Sequence, residues 1–448
     1  MGVTRDLANF VLDTNFDDLE EEVIEHAKVC ILDWLGAALA GSLEPPAKII
    51  TSIIREMGER KESTIIGTRI GTSCTNAALA NGIMGHTIEL DDIHEESIIH
   101  PAAPVVPAAL AVAEHNGASG KDLITSIVLG YEVEIRIGMA VMPSHYQYWH
   151  MTGTCGTFGA AVAAGKILGL NREEMVHALG IAGTQASGLI EVFGTMSKPL
   201  NAGRAALSGV MAALLAQRGF TSSSTILEAK KGYCQATSRK YDLSKISENL
   251  GARFEIMNNI FKRHASCGHT HGAIDALLDL ARKYDTKPDD VEEILVGTYP
   301  IAVEIVGKNP EPKTGSEGKF SLLYCLAAAL ICGKLGLAEF SKERLMDPKI
   351  LELSKKVRVE VDKEFVGAQL GCARVTLRTV DGRSLSCRVD VPKGYPKNPL
   401  TKAELEEKFR SLASIVLSSE QVEKIIITLK KLNELDNVRF LTALLQGQ

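Results

Sequence analysis

Residues 81–101, NGIMGHTIELDDIHEESIIHP, place five acidic residues and three histidines between two apolar segments. Upstream, residues 75–85 carry no charge and have small, apolar residues on one helical face. Downstream, AAPVVPAALAVAEH predicts a second buried helix, entered through Pro101 and Pro104. Charged side chains rarely lie between buried helices unless they are paired or functional. We therefore expect a loop at the mouth of a helical core, carrying these side chains into a cavity: Glu89, Asp91, Asp92, His94 and His100.

The alternative for this loop is a solvated charge cluster, and Glu95 and Glu96 fit that interpretation. A carboxylate and imidazole cluster is also typical of metal sites. The sequence has no HExxH motif, however, and its nine cysteines form no CxxC pair, so we predict no metal. Acid–base chemistry on an organic substrate is the favoured interpretation.

Size and charge narrow the class of protein. A chain of 448 residues predicts two domains, and a net charge of -6 argues against nucleic acid as a partner. No apolar run reaches the length of a membrane span, and the first residues lack the regions of a signal peptide, so we expect a cytoplasmic protein without a membrane partner. The odd number of cysteines, mostly beside apolar residues, fits reduced thiols.

The pattern of apolar residues changes along the chain. Residues 72–219 predict helix after helix, with small residues spaced so that helices approach closely. Four later segments, EEILVGTY, KKVRVEVD, ARVTLRTV and SLSCRVDV, predict strands, and Asp381–Gly382 between the last two is a hairpin signal. With helices expected at 271–284 and 319–335, this part predicts antiparallel strands with helices on one face.

Residues from 401 onward return to helical patterns, and we expect them to pack back onto the N-terminal helices. The predicted fold is therefore mainly α. A large all-helical domain is formed by both chain ends, residues 1–268 and 397–448, and a smaller α+β lid domain, residues 269–396, is inserted between them.

Three further clusters could carry chemistry: residues 145–155 (HYQYWHMTGTC), 196–204 (MSKPLNAGR) and 262–271 (KRHASCGHTH). Each places a basic side chain directly before an apolar helix rich in small residues. Helix N-termini attract anions, so several such ends converging predict a site for a small polycarboxylate. The alternatives are a capping or packing role for His150, a solvated surface position for Lys198, and a packed thiol rather than a nucleophile at Cys267.

Five segments resemble the MmgE/PrpD family in order and spacing: NGIMGHTIELDDIHEESIIHP, YWHMTGTCGTFGAA, FGTMSKPLNAGRAA, FKRHASCGHTHGAIDA and EGKFSLLYC. The resemblance covers most of the chain. This family contains 2-methylcitrate dehydratases, cis-aconitate decarboxylases and iminodisuccinate epimerases. The resemblance implies a homodimer with a helical domain built from both chain ends, a smaller α+β domain, and no metal or organic cofactor.

The resemblance also implies which residues form the active site. Many members have Asp where Glu89 stands and Thr where Ile93 stands, and some decarboxylase-like members have His where Cys267 stands. Tyr324 is expected to reach the same cavity, and Glu89 to contact substrate from its loop. The matching motif positions are Asp91, Asp92, His100, His150, Lys198, Lys262 and His271.

Roles for these residues follow from their chemistry. We expect cationic groups to bind the substrate carboxylates: Lys198, Lys262 and Arg263. An imidazole, that of His150 or His271, would take the proton next to a carboxylate. Asp91 or Asp92 would orient His100, which would protonate a leaving hydroxyl.

The predicted function is a lyase acting on a small di- or tricarboxylate, with a hydro-lyase like 2-methylcitrate dehydratase as the first expectation. A cis-aconitate decarboxylase-like carboxy-lyase and an iminodisuccinate epimerase-like isomerase are alternatives, because all three reactions pass through a carbanion or enolate next to a carboxylate. The alternative outside enzymes is a carboxylate-binding scaffold without activity.

Overall fold

The chain divides into two units in a computed structural model that describes residues 2–58, 60–367 and 370–447. The larger unit comprises residues 1–259 and 401–448, and the smaller unit comprises residues 260–400. The sequence placed these boundaries at 268/269 and 396/397. The mainly α class is confirmed. Across the described ranges, no helix combines the length and the apolarity needed to cross a membrane.

Residues 2–259 are dominated by helices. The short strands of this segment are β1 (Ser63–Thr64), β2 (Gly71–Thr72) and β3 (Ile93–His94). Strand β4 (Asn259–Ile260) begins at the last residue of the segment. The helices are α1 (Val3–Asp13), α2 (Glu21–Gly41), α3 (Pro45–Glu56), α4 (Cys74–Thr87), α5 (Ala102–Asn116), α6 (Gly120–Val141), α7 (Met151–Ile167), α8 (Arg172–Gln185), α9 (Ser197–Gln217), α10 (Tyr233–Thr237) and α11 (Ser244–Ser247).

Small residues set the spacing of the central helices, as the sequence predicted. A Cβ atom added to Gly82 of α4 would lie 2.8 Å from the Cα of Gly203 on α9, and one added to Gly209 would lie 2.4 Å from the Cβ of Ala160 on α7. Real Cβ contacts are not this short, so larger side chains would force the helices apart. This close packing brings the N-terminal ends of α7 and α9 near the end of α4.

The basic clusters stand at helix N-termini, as predicted. Helix α5 begins two residues after His100, His150 is the N-cap of α7, and Lys198 is the second residue of α9. Their side chains therefore lie near the positive ends of the helix dipoles.

The smaller unit is an α+β unit. Its strands are β5 (Val291–Thr298), β6 (Val357–Val361), β7 (Ala373–Thr379) and β8 (Ser384–Val389), paired in the order β6-β5-β7-β8. The helices are α12 (His271–Tyr284), α13 (Pro300–Val306), α14 (Gly315–Lys319), α15 (Leu322–Cys332), α16 (Lys342–Leu345) and α17 (Pro348–Ser354).

The expectation of purely antiparallel strands is wrong at one edge of this sheet. β5 pairs in parallel with β6, whereas β5 with β7 and β7 with β8 are antiparallel. The physical reason is the long crossover from α13 to α17, which returns the chain to the same end of the sheet before β6 begins. The predicted turn between β7 and β8 is present, with Gly382 at φ +86°.

The C-terminal helices belong to the larger unit: α18 (Lys402–Ala413), α19 (Ser419–Lys430) and α20 (Arg439–Leu444). The side chain of Phe409 on α18 packs against Gly36 of α2, where an added Cβ would lie 3.3 Å from its ring. The Lys408 ammonium donates to Asp33 Oδ1 (2.6 Å) and to the carbonyl oxygen of Leu90 (2.8 Å). The tail therefore fastens the acidic loop that follows α4.

Candidate active site

The loop after α4 is held in a strained shape. Glu89 and Ile98 have φ values of +62° and +51°, in the left-handed region that non-glycine residues avoid. Such residues typically cost about 1 kcal/mol or more and persist where surrounding contacts fix them. Here the loop is fixed by Lys408 at Leu90 and by the side chain of Asp92 at the start of α5.

Asp91 bridges two imidazoles. Its Oδ2 accepts a hydrogen bond from His86 Nδ1 at 2.7 Å and lies 3.3 Å from His100 Nδ1, and all three side chains are buried. Burial alone would raise the pKa of Asp91, but the two imidazoles outweigh it and hold that pKa well below its usual range. Asp91 is therefore an ionised carboxylate that orients His100.

Asp92 is held by structural contacts, and its predicted catalytic role stays a prediction. Its Oδ1 accepts from the backbone N–H of Ala102 at 3.1 Å, and its Oδ2 accepts from Tyr131 at 2.9 Å and from Asn259 Nδ2 at 2.6 Å. Burial, reinforced by the negative charges of Asp33 and Asp91, raises the pKa of Asp92 well above its usual value. The sequence left open which aspartate contacts His100, and in the structure it is Asp91.

His150 is buried in the same region as a neutral imidazole. Its ring stacks on His86 with centroids 5.5 Å apart, and its Nδ1 accepts a hydrogen bond from Asn201 Nδ2 at 3.2 Å. Burial lowers the pKa of His150 well below its usual value, and the charges of His86, Lys198 and His100 lower it further, while that of Glu89 opposes them. The capping position predicted as an alternative is real, because His150 is the N-cap of α7, but its ring lies among charged groups.

Lys198 forms a close ion pair with Glu89, and both side chains are mostly buried. Its ammonium lies 5.5 Å from the centroid of the Phe193 ring. The alternative of a solvated surface lysine is therefore wrong. Glu89, predicted to contact substrate, instead supplies the carboxylate that neutralises Lys198 in this structure.

The predicted residues of the smaller unit form a cluster of their own around Asp275. Arg263 Nη1 and His264 Nε2 lie 2.9 and 3.0 Å from Asp275 Oδ1, and the backbone N–H of Lys393 donates to Oδ2 at 2.9 Å. Arg263 is thus paired with a carboxylate. Lys262 is buried.

His271 begins α12 in this cluster, with its ring 5.2 Å from that of His264 and nearly perpendicular to it. Burial, with the charges of His264 and Lys262, lowers the pKa of His271 to about 3. A neutral imidazole of such low basicity is a weak candidate for the general base. The predicted position of His271 beside His100, His150 and Lys198 stays a prediction.

Tyr324 and Cys267 are engaged inside the smaller unit. The Tyr324 side chain is fully buried, and its hydroxyl donates to the carbonyl oxygen of Glu339 at 2.7 Å. That contact gives Tyr324 a packing role in this conformation, and its predicted contact with substrate stays a prediction. The backbone N–H of Cys267 donates to Lys319 O at 3.0 Å.

Within the described parts of the chain, one group of side chains has the donors and spacing for a metal ion. It consists of His86, Asp91 and His100, whose ligand atoms lie within 4.8 Å of one another. The same oxygen of Asp91 is close to both imidazoles, an arrangement that equally serves proton sharing. The predicted absence of a metal stays a prediction.

Two residues of this site escaped the sequence reasoning, His86 and Asn201. His86 lies in the segment 81–101 and Asn201 in the segment 196–204, both named above as candidate clusters. The position of Asn201 relative to Lys198 could have indicated its role. It stands three residues after Lys198, on the same face of a predicted helix, so it accompanies that lysine into the site. His86 stands near the end of α4, directly before the acidic loop.

Two family domains and several known proteins are similar to this chain. The MmgE/PrpD N-terminal domain matches residues 5–245, and the MmgE/PrpD C-terminal domain matches residues 264–434. A cis-aconitate decarboxylase-like protein of Aspergillus oryzae is 30% identical, over 100% of this chain and 98% of its own length. The cis-aconitate decarboxylase of Aspergillus terreus is 30% identical, over 97% and 94% of the two chains. The 2-methylcitrate dehydratase of Salmonella typhimurium is 22% identical, over 94% and 92%.

These relatives are lyases by name, so the predicted class of enzyme is confirmed. The resemblance seen in the five sequence segments is confirmed as well, because the two family domains together cover nearly the whole chain. The chain belongs to the MmgE/PrpD family.

Proposed function

We propose that this chain is a carboxy-lyase that releases carbon dioxide from a small unsaturated tricarboxylate of the cis-aconitate type. The observation that carries the proposal is the buried group formed by Lys198, neutral His150 and the His100–Asp91 pair. The relatives support the choice of reaction, since decarboxylases reach 30% identity over almost the full chain and a dehydratase reaches 22%. This order reverses the expectation from the sequence, which placed the hydro-lyase first.

The chemistry required is the movement of one electron pair. When the carboxylate on the methylene carbon of cis-aconitate leaves as carbon dioxide, its bonding electrons form a new double bond. The old double bond then shifts its electrons to the carbon beside another carboxylate. That carbon takes one proton, so a trianion and a proton give a dianion and carbon dioxide.

The side chains of the larger unit match these needs. Negative charge builds up on the carboxylate beside the reacting carbon, and the Lys198 ammonium can stabilise it in a site largely removed from water. A proton must then be delivered to that carbon. We assign this step to His100, whose Nδ1 lies 3.3 Å from Oδ2 of ionised Asp91.

A hydro-lyase acting on a 2-methylcitrate-like substrate is the second candidate. The dehydratase from Salmonella typhimurium matches over 94% of this chain, which favours the same overall site in both activities. Dehydration, however, needs a base to remove a proton next to a carboxylate, whereas decarboxylation needs none. The protonation states of the histidines therefore bear on the choice.

The proposal is tested by incubating the purified full chain with cis-aconitate and, separately, with 2-methylcitrate in deuterated water and following both by NMR. We expect loss of carbon dioxide from cis-aconitate and one deuterium in each product molecule. Lys198→Ala serves as the inactive control. Water loss from 2-methylcitrate with no carbon dioxide from cis-aconitate would establish the second candidate instead.

We also propose that the enzyme acts in the cytoplasm as a homodimer, on a small polycarboxylate, without a metal or organic cofactor. The family resemblance supports the dimer. Light scattering coupled to size-exclusion chromatography tests it, because a dimer of this 48.3 kDa chain has twice that mass. Activity that survives dialysis against a strong chelator, with metal content measured in the same sample, tests metal independence.

A further inference from the structure

We propose that Asn201 is a positioning residue that fixes His150 as a neutral imidazole with its proton on Nε2. Asn201 Nδ2 lies 3.2 Å from His150 Nδ1. An amide nitrogen carries two hydrogens and cannot accept a hydrogen bond, so Nδ1 must be the acceptor. The remaining proton of the neutral ring then resides on Nε2. The catalytic role of His150 in this inference rests on the proposed function, whereas its tautomer and its contact with Asn201 do not.

The amide is held in place by two glycines. A Cβ added to Gly153 would lie 3.1 Å from the Cβ of Asn201, and one added to Gly188 would lie 3.0 Å from its Cγ. His150 is fixed to the same backbone, since its N–H donates to the carbonyl oxygen of Gly188 at 2.9 Å. Ring and amide are thus locked to one another by α7, α9 and the segment at Gly188.

The two imidazoles of the site have partners of different charge. His100 faces the carboxylate of Asp91, whereas His150 faces an uncharged amide that donates to its lone pair. The charged groups around His150 are His86 from α4, His100 and Glu89 from the following loop, and Lys198 from α9. Glu89 alone among these four favours the imidazolium, and the other three oppose it.

This geometry changes the role of His150. The sequence predicted a general base, but a ring protonated at Nε2 and bonded at Nδ1 has no free lone pair with which to take a proton. It is instead a hydrogen-bond donor, and a neutral imidazole can stabilise an enediolate in that way. A decarboxylation needs such a donor and no base, so the arrangement favours the proposed reaction over dehydration.

The first test reads the tautomer directly in the free enzyme. The full chain is labelled with 15N-histidine, the His150 signals are assigned by comparison with His150→Gln, and the ring nitrogens are titrated. We expect a wild-type ring protonated at Nε2 with a midpoint below the ordinary value of 6.5. Asn201→Asp should raise that midpoint by about one pH unit or more, because the new carboxylate favours the imidazolium.

A matched control is Asn76→Asp. Asn76 lies in the first turn of α4, where its backbone N–H donates to Ser73 Oγ and an added negative charge suits the helix. This variant should leave the His150 titration unchanged. A wild-type ring protonated at Nδ1, or an Asn201→Asp midpoint equal to that of wild type, would overturn the proposal.

The second test uses turnover and separates positioning from simple folding defects. Asn201→Ala should lower kcat on cis-aconitate by roughly tenfold or more with little change in KM, and Asn201→Ser, which keeps a donor, should recover part of the loss. Circular dichroism confirms the fold of each variant. Equal kcat for Asn201→Ala and wild type would remove Asn201 from this role. If cis-aconitate is not turned over at all, the proposed function fails while the NMR result still decides the tautomer.

Discussion

Lys198 and Glu89 form an ion pair in which the side chains are 13% and 20% exposed. The lysine assigned to a substrate carboxylate thus already holds a carboxylate of the chain itself. A substrate anion must either displace Glu89 or share the ammonium with it. This relationship makes Glu89 a determinant of how strongly anions bind.

Glu89→Gln should tighten the binding of small tricarboxylates. With the competing charge removed, the Lys198 ammonium is free for substrate, and we expect KM or the Kd of an unreactive tricarboxylate to fall by roughly threefold to tenfold. Isothermal titration calorimetry measures the Kd. Glu96→Gln is the control, because it makes the same change in an exposed pair with Lys245. Unchanged or weaker binding in Glu89→Gln would contradict this account.

Lys198→Ala should lower turnover by about two orders of magnitude or more, because the developing charge loses its stabilising cation. The fold should be intact, as judged by circular dichroism and melting temperature. Lys245→Ala, at an exposed lysine, is the matched control. Near-normal turnover on the true substrate would exclude Lys198 from the mechanism.

His86 is expected to act through Asp91, to which its Nδ1 donates at 2.7 Å. His86→Asn places an amide near the former Nδ1 and can keep this hydrogen bond, whereas His86→Gln places its amide farther out. We therefore expect kcat of the asparagine variant to exceed that of the glutamine variant by several-fold, which corresponds to about 1 kcal/mol for one retained hydrogen bond. Steady-state kinetics on both variants measure the ratio. A purely space-filling role would make the two equal.

Glu134→Gln should stabilise the protein at neutral pH. Glu134 is fully buried on α6, and neither of its carboxylate oxygens has a hydrogen-bond partner among the described residues. Burial, together with the charge of Asp92, raises the pKa of Glu134 well above its usual 4.5. The folded state therefore binds more protons than the unfolded state, so stability is full below that value and declines as pH rises above it.

Urea unfolding at several pH values between 4.5 and 7 measures this effect. The free energy of unfolding of the glutamine variant minus that of wild type should grow with rising pH and reach about 1 kcal/mol or more at pH 7, because the variant lacks the cost of keeping Glu134 protonated. Glu173→Gln is the control, since Glu173 is exposed on α8. A glutamine variant whose stability relative to wild type does not rise between pH 4.5 and 7 would contradict this account.

The sequence predicted helices better than relationships between segments. The helix at 271–284 was predicted with the observed bounds, and the basic clusters were placed at helix N-termini, because capping residues and apolar periodicity are local signals. The parallel pairing of β5 with β6 was missed, since strand direction depends on the path of the chain between them. The local pattern of apolar and capping residues does not determine that path.

The same limit applies within the site. Asp91 and Asp92 are neighbours of identical chemistry, and the sequence could not say which one faces His100. That choice is made by tertiary contacts, namely those that anchor Asp92 to Ala102, Tyr131 and Asn259. Asn201 was overlooked because an amide carries no charge, although its spacing from Lys198 was visible.

The hydrogen bond from Lys408 to the carbonyl oxygen of Leu90 determines how late in synthesis the acidic loop can be fixed. The two residues are separated by 318 positions. A nascent chain emerging from the ribosome therefore contains every histidine of the larger unit before it contains Lys408, which holds the acidic loop. The hydrogen bonds from Lys408 to Leu90 and Asp33 form only after α18 docks. Until that late moment the acidic loop of the newly made chain lacks this contact, however well the earlier helices have assembled.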